Sequence, residues 1–157
     1  MTGTEAIALS PAQHGVWFTE RAGLAGTAYH LAVTVTLCGP VDADALAAAA
    51  TAVVRSHPQL AGACVETDGL VGIVPGVAPV EVHRLETAGH DRHLLEDLVR
   101  RPFDLTTGPL CRLTVVREAA DRAVLVLVAH HLCFDDRSKE HFVREVLDRY
   151  PARTACR

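Results

Sequence analysis

Two adjacent histidines and an aspartate four residues past the second, His130-His131-Leu132-Cys133-Phe134-Asp135, are the residues of this chain best suited to chemistry. Imidazole titrates near neutral pH, so it can take up and return a proton during a reaction. The pair follows Ala123-Val124-Leu125-Val126-Leu127-Val128, an unbroken apolar run. Such a run predicts a strand buried on both faces, and a strand end is a rigid mount for a working side chain. Successive strand side chains point to opposite faces, so at most one of His130 and His131 can face a given cavity. The expectation is a single working base whose neighbour turns into the layer behind. The same parity opposes a metal site built from His130, His131, Asp135 and His141. Asp135, past the strand end, is expected to hold the loop by accepting backbone N–H bonds or by pairing with an arginine. Cys133 reads as a small apolar filler rather than a thiol nucleophile.

The elements that position this loop are legible along the chain. Ser10-Pro11-Ala12-Gln13 starts a helix running to about Arg21, with Ser10 at the N-cap and Gln13 at the reciprocal capping-box position. Ala12, Val16 and Trp17 are expected on its apolar side. Tyr29 to Leu37 alternates as a half-buried strand. Asp42 or Asp44 caps a helix to about Ser56, with Leu46, Ala49, Ala50, Val53 and Val54 buried; His57-Pro58 closes it. Leu60–Val65 and Leu70–Val74 flank Asp68-Gly69, a hairpin signal. A rougher alternation from Val80 to Leu85 suggests a strand. Asp91 to Arg101 is an amphipathic helix with Leu94, Leu95, Leu98 and Val99 inside. Leu110 to Arg117 is a strand antiparallel to 123–130. Ser138 is expected to cap a last helix carrying Phe142, Val143, Val146 and Leu147. Helices mixed with partly antiparallel strands give an α/β class, a two-layer α/β sandwich.

The chain has 157 residues, 49% hydrophobic and 22% charged, which is one globular domain with a real core. A net charge of −4 without a basic block gives no electrostatic reason to propose nucleic acid. No apolar stretch reaches membrane-spanning length, and the first residues do not read as a signal peptide. Five widely spaced cysteines have no zinc or redox spacing, so a reduced, cytoplasmic protein is expected. His14, His57, His83, His90 and His93 form no spaced set and read as surface residues.

Several blocks together resemble the N-terminal lobe of a condensation domain of nonribosomal peptide synthetases, within the chloramphenicol-acetyltransferase-like acyltransferases. Leu9-Ser10-Pro11-Ala12-Gln13 with Trp17 is similar to the family's opening motif. Tyr29 to Leu37, Gly39, Asp42, Ala45-Leu46 and Arg55 to Leu60 resemble its second block. Pro102-Phe103-Asp104-Leu105, Gly108-Pro109-Leu110 and Arg112 resemble the segment before the active site. His130 to Asp136 resembles HHxxxDG with the glycine replaced. The resemblance assigns residues 1–151 to a single lobe, half of a condensation domain, and 152–157 to an unstructured tail.

The resemblance implies amide or ester formation between a carrier-bound acyl or peptidyl thioester and an aminoacyl acceptor. It gives the tunnel-facing catalytic role to His131, and supporting roles to His130 and Asp135. It implies no built-in cofactor, because phosphopantetheine arrives on the carrier proteins. Expected partners are peptidyl or acyl carrier proteins, a second lobe or a second copy of this chain, and an adenylation domain. Two features depart from the family. The chain supplies one lobe where the family has two, and Asp136 and Ala61 stand where glycine and arginine are usual. A carboxylate beside His131 is expected to favour the imidazolium. Three functions therefore compete: an enzyme completed by a partner lobe, an inactive docking module for carrier or adenylation domains, and an interrupted or cut-down chain.

Overall fold

The structure, a computed structural model, describes residues 5–151; the predicted tail at 152–157 lies outside them. A capping box opens α1 (Pro11–Arg21): Gln13 N–H donates to Ser10 Oγ, and Gln13 Oε1 accepts from Ser10 N–H. Asp42 caps α2 (Ala43–Ser56), and its carboxylate accepts from the Asp44 and Ala45 amides. Asp91 caps α3 (Arg92–Arg100).

A four-stranded sheet forms the centre. It is built from β2 (His30–Cys38), β5 (Val82–Glu86), β6 (Cys111–Ala119) and β7 (Arg122–His130), in the order β2-β7-β6-β5. β7 is antiparallel to both neighbours, and β5 joins β6 in parallel. From Ala123 to His130 every residue of β7 is buried, as the apolar run predicts. Leu125, Leu127 and Ala129 face α2 and α4 (Asp136–Arg149), among Leu46, Val53, Phe142 and Val146. Val124, Val126 and Val128 face the other way, under Leu94, Leu95, Leu98 and Val99 of α3. The sheet thus carries helices on both sides, and the two β7 neighbours His130 and His131 inherit opposite directions from this parity.

A smaller sheet of β1 (Ile7–Ala8), β4 (Leu70–Val74) and β3 (Ala63–Thr67) lies beneath the histidine loop. Its hairpin turns at Asp68 and Gly69, both with positive φ, the geometry of a type I′ turn. Cys64, Val71 and Ile73 pack with Leu9, Leu105, Leu110 and Leu132. Gly108 has a positive φ, and a Cβ there would collide with the Gly62 carbonyl oxygen. Only glycine fits at that crossing.

Several expectations are corrected. β1 was not foreseen: two residues carry no period. Leu60 sits on a short 3₁₀ turn (Pro58–Ala61) and not on a strand, because Pro58 fixes a helical φ two residues after the helix end. Ala12 is exposed, and α1 buries no residue fully; Val16 and Trp17 alone of the predicted trio pack inward, half-buried. Leu94, Leu95, Leu98 and Val99 are half-buried rather than inside. Leu147 is exposed. The last helix begins at Asp136, with Asp135 rather than Ser138 as its cap.

Candidate active site

His130 ends β7, and its ring is fully buried. Its Nε2 lies 3.0 Å from Glu20 Oε1, and its Nδ1 accepts the Leu132 N–H at 3.2 Å. An imidazole whose Nδ1 accepts a hydrogen bond is neutral, with its proton on Nε2, so Nε2–H donates to the Glu20 carboxylate. Burial holds the His130 pKa below its ordinary value, and the Glu20 carboxylate opposes that only in part. His30, paired with His130 in register, donates from Nδ1–H to Val99 O at 2.7 Å and meets Phe103 edge-on. The ring of His130 is also edge-on to Phe103.

His131 turns the other way and is exposed. Its backbone N–H donates to Tyr29 O. Its Nδ1 lies 2.8 Å from the Phe134 carbonyl, an acceptor only, so Nδ1 carries the proton and donates. The lone pair of Nε2 is left outward, and among the described residues it has no hydrogen-bond partner. The geometry expected from strand parity, one buried histidine and one facing a cavity, is the arrangement observed. That cavity is an open groove of about 330 Å³, lined by His131, Gln13, Gln59, Ile73, Asp135 and Ser138 among others. A second groove of about 200 Å³ shares Gln59, Cys133, Phe134 and Ser138 and continues past His57 and His141.

Asp135 stabilises the loop by accepting from the Ser138 amide and hydroxyl at 2.8 and 2.7 Å. These two bonds hold its carboxyl below the usual carboxylate range. It serves as a cap, and no arginine pairs with it among the described residues. Replacing Asp135 by alanine is expected to fray the first turn of α4. The readout is faster amide exchange at Ser138 and a lower thermal midpoint, with Asp135→Asn retaining both because its side-chain oxygen still accepts.

Asp136 occupies the first helical position with no positive φ, so an L-residue replaces the motif glycine there without backbone strain. Its carboxylate is 87% exposed and is bound to Lys139 at 2.7 Å rather than to His131. Cys133 is half-buried beside the groove, and burial pushes its thiol pKa far up. Cys64 and Cys111 are likewise raised, to about 11 and about 12. No thiolate nucleophile is available here.

Sequence reasoning passed over Glu20 and His30, and it placed His57 on the surface. The His57 side chain is 40% exposed there and binds Glu145 at 2.8 Å at the edge of the second groove, a pairing the sequence did not indicate. Glu20 is ten residues from Ser10 in a helix chosen for its cap; only the acid's place on the helix face turned to the buried histidine marks it. Among the described residues no helix is long and apolar enough to cross a membrane, and no three His, Cys, Asp or Glu side chains cluster in a way that could hold a metal ion.

Fold and site define an α/β lobe that presents one imidazole, at a strand end, to an open groove. The family description "Condensation domain" matches residues 4–155, and the chain belongs to that family, which is found in nonribosomal peptide synthetases. It is 31% identical to chondramide synthase cmdD of Chondromyces crocatus over 98% of its own length and 4% of that synthase. It is 32% identical to an isonitrile lipopeptide synthase of Mycobacterium tuberculosis, over 97% of this chain and 6% of that protein. Among solved structures it superposes on the tallysomycin biosynthesis protein TlmII with a TM-score of 0.81 and 30% identity, covering 96% of this chain and 39% of that one. The starter condensation domain of rhizomide synthetase RzmA shares the fold, with a TM-score of 0.84 at 18% identity, over 93% of this chain and 37% of that one. The chain thus spans under two-fifths of these solved chains and a few per cent of the synthetases.

Proposed function

We propose that this lobe carries the proton-handling half of a condensation reaction between two carrier-bound substrates. An acceptor amine, or a hydroxyl for ester formation, attacks the thioester carbonyl of an acyl or peptidyl donor. His131 Nε2 accepts the nucleophile's proton as the new bond to carbon forms. The C–S bond then breaks, and the pantetheine thiolate leaves with that proton. The observation that carries this reading is the free Nε2 lone pair of His131, aimed at the groove while Nδ1–H is anchored on Phe134 O. Neither phosphopantetheine nor a metal is resident in this scheme; the former is delivered by peptidyl or acyl carrier proteins.

The groove is open, and preorganising two substrates requires a second wall. A second lobe, a second copy of this chain or a neighbouring assembly-line domain would supply it. The test mixes the chain with the C-terminal portion of a condensation domain and with donor- and acceptor-loaded carriers. Product that forms only when both lobes are present is expected. Carrier binding without product under every pairing favours the alternative of an inactive docking module for carrier or adenylation domains, for which the open groove without a second wall is the supporting feature.

A further inference from the structure

We infer that Glu20 and Gln13 of α1 are positioning residues that fix the ring of His131, acting through His130 and the Leu132 backbone. The two lie seven residues apart, two helical turns, and so on one face of α1. Each grips the loop at a different atom. Glu20 Oε1 accepts from His130 Nε2–H at 3.0 Å, and Gln13 Nε2 donates to the Leu132 carbonyl at 2.7 Å. Gln13 does this with the amide nitrogen left over from the capping box, where its oxygen already accepts from Ser10.

A carboxylate at Glu20 can only accept from the buried ring. That places the His130 proton on Nε2 and leaves Nδ1 as the acceptor for Leu132 N–H. The opposite tautomer would set two donors, Nδ1–H and Leu132 N–H, against each other in a fully buried site. The Leu132 residue is therefore held at its N–H by His130 and at its C=O by Gln13. Two residues on, the Phe134 carbonyl accepts from His131 Nδ1–H and keeps the Nε2 lone pair outward. One acid and one amide on a helix that buries no residue fully thereby decide which nitrogen of the exposed histidine is basic.

The catalytic consequence rests on the proposed role of His131, but the device can be tested without any reaction. The ring nitrogens of His130 and His131 are followed by nitrogen-15 NMR in the full chain. In the wild type each neutral ring is expected to show two well-separated nitrogen signals, as a single tautomer does. Glu20→Leu is expected to bring the two His131 signals toward a common average, while Glu20→Gln, which keeps an acceptor oxygen, restores the separation. Gln13→Glu is the second probe should Glu20→Leu fail to fold. It preserves the capping box but turns the donor to Leu132 O into an acceptor, and the same convergence is expected. Well-separated His131 signals in folded Glu20→Leu, or in Gln13→Glu, would overturn the inference. A lobe that fails to condense any substrate would leave this NMR result unchanged, so the two readings fail separately.

Discussion

Replacing His131 by alanine is expected to lower product formation in the two-lobe, carrier-loaded assay by about 10²- to 10⁴-fold, the usual contribution of a positioned acid–base group. Fold and stability stay close to wild type, within about 0.5 kcal/mol, because the ring is exposed and its one side-chain bond is to a loop carbonyl. His131→Asn separates two roles. Its amide can still donate to Phe134 O but has no basic nitrogen. An inactive asparagine variant identifies proton acceptance as the contribution, and an active one would reduce His131 to a loop support. Asp136→Gly is the matching control for the altered motif. Its carboxylate is directed at Lys139 and solvent, so removing it is expected to change the rate far less than removing the imidazole.

The strands and the parity at the histidine pair were legible because β7 has no polar interruption. A run of apolar residues from Ala123 to Val128 can be satisfied only between two layers, and period 2 then separates His130 from His131. The cap at Ser10, and the choice of Asp42 or Asp44 for the second helix, were legible because a short acceptor before an amphipathic stretch has few other uses; Asp91 was read as the first helical residue and is the cap. Asp135 had the same chemistry but was read through its motif, so the cap was assigned three residues late, to the side chain that donates to it. Ile7-Ala8 was not legible, because a two-residue strand is defined by its partner, Gly72-Ile73, and by nothing local. Glu20, His30 and His57 were missed for a related reason. Their partners lie 110, 69 and 88 residues away, and a polar residue on an amphipathic helix or at a strand start looks the same whether it meets solvent or a buried ring. The site was therefore legible where a single segment makes it, and hidden where α1 and α3 reach across to it.

His130 gives the second large effect, this time in stability. Its ring fills a fully buried site and satisfies both Leu132 N–H and Glu20. His130→Ala leaves a cavity, a buried amide without an acceptor and a carboxylate without its donor, and is expected to cost about 3–4 kcal/mol in urea unfolding. The wild type is also expected to lose stability in mild acid. The folded ring resists protonation because burial dominates, whereas the unfolded chain takes up that proton near the ordinary value of 6.5. Below that pH the unfolded state binds more protons, so stability falls as pH falls, by at most about 1.4 kcal/mol per pH unit from this one group. The loss ends once pH drops through the lowered folded value. His130→Asn isolates this contribution, since its amide can donate to Glu20 and accept from Leu132 without titrating. Unfolding curves from about pH 7.5 to about pH 5.5 are expected to show a smaller loss at neutral pH than His130→Ala and a flatter acid slope than wild type. An unchanged slope in His130→Asn would place the acid sensitivity on another group and would mean that the buried ring accepts a proton in the folded state. That outcome would also remove the fixed tautomer on which the orientation of His131 depends.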